Sequence, residues 1–150
     1  MKNSYFFSQV HQVFFTLAFI NAIVFMLVFM LSYKGVFVLV VDVNLFHSFS
    51  LIFLLFIPAF LGFLFTSFPR FLSLNAIDKD IYLKIFFLFV ISTILLLLGA
   101  FFSIILFKTS MFILLITLTW AVFTLYNIYI KMRLNETIGG LKTSLNLDTI

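Results

Sequence analysis

Four long runs of this chain carry no Asp, Glu, Lys or Arg in their interiors. They cover residues of about 11–33, 46–68, 82–107 and 110–130, with Lys84 in the first turn of the third. Each has roughly the 20 residues needed to cross a ~30 Å hydrocarbon core. Hydrocarbon offers no hydrogen bonds, so the backbone of such runs must bond within itself, and helices are predicted. The expected fold is therefore all-α, an integral membrane bundle of four transmembrane helices over residues 1–133. A polar cytoplasmic tail is expected over residues 134–150.

Composition supports lipid as the solvent. The 150 residues are 65% hydrophobic and 9% charged, where soluble domains carry about 25% charged residues. A soluble domain of this size keeps a large exposed fraction and could not hide this much apolar surface. With no cysteine, disulfides, Cys-bound zinc, Cys-ligated clusters and a thiol nucleophile are excluded. The net charge of +4 is spread over the ends of the apolar runs, as membrane helices require. No basic patch interleaves with aromatics in a polar region, so no nucleic-acid partner is expected. The first run is too long for a signal-peptide core and "MLSYKGVF" is a poor cleavage site, so it is expected to be retained.

The basic residues also orient the bundle. Lys2, Arg70, Lys79, Lys84, Lys131, Arg133 and Lys142 fall on the side of the termini, while Lys34 and Lys108 fall on the other. The positive-inside rule then puts both termini in the cytoplasm. Thr109–Ser110 is expected to be the tight hairpin between the third and fourth helices. Residues 34–44 are expected to form an interfacial loop, because Gly35 can break the helix. Beyond Gly139 poor order is expected.

Few residues can carry chemistry. His47 opens the second run, at the predicted outer face. Neutral imidazole is a common haem and copper ligand, and it is equally an interfacial residue bonded to a nearby carbonyl. His11 opens the first run at the opposite face. Helix rise puts the two histidines a membrane thickness apart, so they cannot share one metal within one chain. Asn21, mid-membrane, is expected to make an interhelical hydrogen bond. Pro58, Gly62 and Thr66 are spaced four apart on one face, which points to a kink and close helix packing. The Ser and Thr residues of the last two runs can bond their own i−4 carbonyls, and Tyr126 and Tyr129 suit an aromatic belt. There is no intramembrane acid, no Ser/His/Asp constellation and no phosphate-cradling loop. The chain is not expected to be an enzyme. It also lacks the intramembrane charge of a self-sufficient ion-coupled transporter.

The stretch "FHSFSLIFLLFIPAFLGFLFTSFPRF", Phe46 to Phe71, resembles the second-helix region of the NnrS family of bacterial membrane proteins. Its close, "GFLFTSFPRF" from Gly62 to Phe71, is similar to the family's Gly-Phe-Leu-Leu-Thr-Ala-x-Pro motif. "FSQVHQVFF", Phe7 to Phe15, looks like the entry to the family's first helix. The opening departs from the family's His-x-His-Glu-Met, with His47 alone where the family has a histidine pair and an acidic partner. The resemblance implies a bacterial inner-membrane protein associated with haem or copper and linked to nitric oxide and nitrosative stress. His47 would be the cofactor and metal ligand, and Asp42 the one nearby carboxylate able to orient it. Family members are longer, so a truncated member is expected, with helices of a companion chain or a homo-oligomer as partners. The alternatives are a helix-packing fragment without cofactor and, third, part of a transporter.

Overall fold

The computed structural model describes residues 9–144, with side chains described through residue 138. Among the described residues four helices make up the architecture: α1, Val10–Tyr33; α2, Val43–Phe71; α3, Lys79–Phe102; and α4, Ile104–Ser144. All four are long and apolar enough to cross a membrane. Phe19, Phe56, Phe60, Phe102, Ile105 and Val122 are exposed on their outer surfaces. A soluble protein could not leave so many large apolar side chains uncovered, and a bilayer covers them at no cost.

The helices alternate in direction. Residues 34–42 and Ser103 lie at one end of the bundle: Val40 N–H donates to the Ala100 carbonyl at 2.8 Å, and Phe37 meets Phe101 edge-on at 5.6 Å. Residues 74–78 lie at the other end, beside the second half of α4. Lys34 and Lys108 therefore share one end, and Arg70, Lys79, Lys84, Lys131 and Arg133 the other.

The core is aromatic. Phe14 of α1 is fully buried and packs edge-on against Phe65 of α2 at 5.7 Å and against Phe86 and Phe89 of α3 at 6.0 and 6.4 Å. These T-shaped contacts set the ring edges against ring faces, the favoured arrangement. The ring of Phe14 can sit between helices because Gly62 lets α2 approach α1. A Cβ on Gly62 would lie 2.9 Å from the Phe14 Cβ. The Pro58–Gly62 face thus packs closely against α1, as its spacing predicts, and the Thr66 hydroxyl donates to the Gly62 carbonyl at 2.8 Å.

Two features differ from the sequence expectation. The hairpin between α3 and α4 turns at Ser103, not at Thr109–Ser110. Ser103 is extended, with φ −161° and ψ 126°, and its hydroxyl accepts from Ile105 N–H. The turn this tight is sterically allowed by Gly99, whose missing Cβ would lie 2.6 Å from the Phe107 Cα. Thr109 and Ser110 stay helical and donate back to the Ile105 and Phe107 carbonyls. The other difference is in the tail, where α4 continues as helix through Gly139 and Gly140 to Ser144; residues 145–150 of the expected tail lie outside the described residues.

Helix α2 is not regular. Residues Ser50–Phe56 widen into a π turn, in which Ile57 N–H donates to the Ile52 carbonyl. Pro58 follows directly and has no N–H for the carbonyl four residues back, that of Leu54. Asn21 of α1, fully within the bundle, supplies the donor instead: its Nδ2 lies 2.8 Å from the Leu54 oxygen. The interhelical bond expected of Asn21 exists, and its partner is the backbone group that proline orphans.

Candidate functional site

His47 lies in the second turn of α2, just before the π turn. The helix starts three residues, just under one turn, earlier than the apolar run suggests, and Asp42 caps it. Asp42 Oδ1 accepts from Asn44 N–H at 3.0 Å and Leu45 N–H at 2.9 Å. These are two of the donors that a helix start leaves unpaired. Asp42 is thus engaged with the backbone and does not hydrogen-bond to His47, so the Asp42–His47 pair anticipated from sequence is not formed.

What holds the imidazole is a ring on another helix. Phe29 of α1 stacks on His47 with centroids 3.9 Å apart and planes 19° from parallel. Neighbouring contacts fix both partners. Phe46 is fully buried against Phe25 at 5.5 Å, and the Ser50 hydroxyl donates to the Phe46 carbonyl at 2.6 Å. His47 itself is half-buried, and no hydrogen bond from its ring is seen among the described residues. Phe29 also borders an apolar groove of about 490 Å³ along α1, with Met26, Met30, Tyr33 and Lys34. Ser48, next to His47, is exposed and Asn44 uses its N–H on the Asp42 cap.

His11 is far away. It sits in the first turn of α1, against Gly62 and 6.4 Å ring to ring from Phe15. Eighteen residues separate it from Phe29 along α1, about 27 Å of helix. Among the described residues, no group of three or more His, Asp or Glu side chains is gathered to hold a metal. Sequence reasoning missed two parts of this site, Phe29 and the π turn. Pro58 was the available signal for the second; nothing distinguishes Phe29 among 25 phenylalanines.

The NnrS protein family model matches residues 5–137, a span that runs through all four helices. The chain belongs to the NnrS family. No curated protein and no solved structure matches it. For an NnrS-family chain, the helix that bears His47 and the "GFLFTSFPRF" close is the one whose sequence carries the resemblance. It is also the helix whose hydrogen-bond ladder is interrupted, beginning three residues beyond His47. Short π turns recur at functional sites of helical proteins.

Proposed function

We propose that this NnrS-family protein holds a haem through His47 at one face of the membrane and serves, without being an enzyme, in the response to nitric oxide and nitrosative stress. The observation that carries this is the stacked imidazole whose nitrogens are not spent on the protein. A single imidazole suffices as an axial haem ligand, and the flanking apolar groove suits a flat apolar ligand. When bound, haem would supply an iron able to take a small diatomic molecule. The protein's own part is positional: Phe29 fixes the ring plane, the Asp42 cap fixes the start of α2, and the Val40–Ala100 bond ties the preceding loop to the bundle. Copper fits less well, since a copper site draws on several His, Met or Cys ligands and His47 has no second imidazole beside it.

The same reading puts the chain in the bacterial inner membrane, and the seven-to-two split of basic residues supports cytoplasmic termini. Periplasmic activity of a reporter fused after Lys79 would refute that orientation.

A second reading has an observation of its own. Metal-bound histidines commonly donate their other nitrogen to an orienting acceptor, and His47 has none among the described residues. On that reading the chain is a helix-packing membrane subunit without cofactor. The deciding experiment is purification in detergent, with haem absorbance and bound copper measured for wild type and His47→Ala. Haem present in wild type and lost in His47→Ala supports the first reading. A colourless, copper-free wild type selects the second, and haem that survives the substitution moves the ligand to His11.

A further inference from the structure

A second cavity lies at the other end of the bundle from His47. It is a cleft of about 810 Å³ between residues 74–78, the start of α3 and the second half of α4. Its lining is graded. Along α4 it runs from Trp120 and Phe123 out to Asn127 and Lys131, and Asp78 and Ile81 line it from the start of α3. Lys108 and Lys131 are 23 residues apart on α4, about 35 Å of helix, which matches the hydrocarbon core plus a margin at each face. Trp120 is thus at acyl-chain depth, and Lys131 is about 16 Å further out, at headgroup depth.

The two charges in the cleft are uncommitted. Asp78 precedes α3 at the same position that Asp42 holds before α2, yet its carboxylate makes no capping hydrogen bond. Among the described residues the ion pair present is Arg133 with Glu136, and none joins Asp78 to Lys131. A carboxylate and an amine face one cleft without closing on each other, above an aromatic and aliphatic floor.

We propose that this cleft is a binding site for one phospholipid with a zwitterionic headgroup bearing a primary ammonium, of the phosphatidylethanolamine class. Lys131 and the Asn127 amide take the phosphate, Asp78 takes the ammonium, and an acyl chain lies along Ile81, Trp120 and Phe123. The site is separate from His47 and does not depend on a haem there.

The test uses the full chain in vesicles of equal parts phosphatidylethanolamine, phosphatidylcholine and phosphatidylglycerol. The protein is extracted in mild detergent, and the retained lipid is quantified by native mass spectrometry. The expected result is a preference of about 2- to 5-fold for the ethanolamine lipid, the range that one exposed charge pair supports. Asp78→Asn should remove the preference over phosphatidylcholine, and Lys131→Glu should lower retention of all three lipids. Both side chains are exposed, so helicity by circular dichroism should be unchanged. Equal retention of the three lipids by wild type, or a preference that survives Asp78→Asn, overturns the assignment. Displacement of the lipid by soluble phosphoethanolamine also overturns it, since a free amine-bearing phosphate would then be the occupant.

Discussion

Replacing Asn21 by Leu, which is close to isosteric, should destabilise the bundle more than loss of an average membrane hydrogen bond. Interhelical side-chain bonds are worth about 0.6 kcal/mol on average and up to ~1.7 kcal/mol, because alternative partners usually exist. Here the acceptor is the Leu54 carbonyl, 2.8 Å from Asn21 Nδ2, and the residue that would normally serve it is Pro58. Leu54 is fully buried, so no water reaches its backbone. The expected cost is therefore at the upper end, ~2 kcal/mol, which includes the penalty of an unpaired buried acceptor. A double-mutant cycle isolates the cause. Pro58→Ala restores an N–H four residues beyond Leu54, so Asn21→Leu should cost at least ~1 kcal/mol less in that background. The assay is reversible unfolding in mixed micelles followed by circular dichroism. Equal costs of Asn21→Leu in the two backgrounds, or a cost below ~0.5 kcal/mol in wild type, would refute the claim that Asn21 replaces the missing proline donor.

Gly99→Ala puts a methyl into the Phe107 and Leu106 backbone; backbone cannot yield as a side chain can, so a loss of ~3 kcal/mol or more, or a failure to fold, is expected in the same unfolding assay. Gly62→Ala should cost less, ~1–3 kcal/mol, since its overlap is milder, with the Phe14 Cβ at 2.9 Å and the His11 backbone no closer than 3.7 Å. Ser73 holds φ at +53° at the end of α2, a left-handed conformation that costs a residue with a Cβ ~1 kcal/mol. Ser73→Gly should therefore leave stability unchanged or raise it by up to ~1 kcal/mol, and Ser73→Val should lower it. Asp42→Ala removes both capping bonds and should cost ~1 kcal/mol, while leaving any haem absorbance largely intact, because His47 is held by Phe29 and not by Asp42.

The spans were legible because lipid imposes a length and an internal hydrogen-bond requirement on any run without charge. Which face of each span points inward was less so. Phe14 is buried and its neighbour Phe15 is exposed, and the same residue type serves core and lipid alike. In water a helix advertises its buried face by being apolar there; in a bilayer both faces are apolar and that contrast vanishes. The informative positions are the few polar or small ones. Asn21, Ser50, Gly62, Ser92, Gly99, Ser110 and Thr117 are all buried, and Ser92 and Ser110 meet across α3 and α4 through the Ser92 hydroxyl and Ser110 carbonyl at 2.8 Å. The hairpin was misplaced because a Lys-Thr-Ser run looks like a turn, whereas a lone serine in an apolar run looks like helix. The stronger cue was Gly99 four residues before Ser103, the spacing at which one backbone can fold tightly over another.

The candidate site shows a limit of a different kind. His47 could be picked out from sequence because imidazole is rare in this chain, and its placement near a helix start followed from the apolar run. Its environment could not be. Asp42 is near it in sequence, but a carboxylate one residue before a helix finds free N–H groups at hand, and those are closer than a side chain a turn and a half further on. The partner actually in contact, Phe29, comes from another helix and depends on how α1 and α2 cross, which the Gly62–Phe14 approach and the Asn21–Leu54 bond fix together. Asn21 lies between Phe14 and Phe29 on α1, and Leu54 lies between His47 and Gly62 on α2. The bond that repairs the proline defect therefore also sets the register at which the phenyl ring meets the imidazole. Breaking it should loosen the His47–Phe29 stack along with the bundle, so Asn21→Leu should weaken haem retention if His47 is the ligand and leave it unchanged if haem is held at His11.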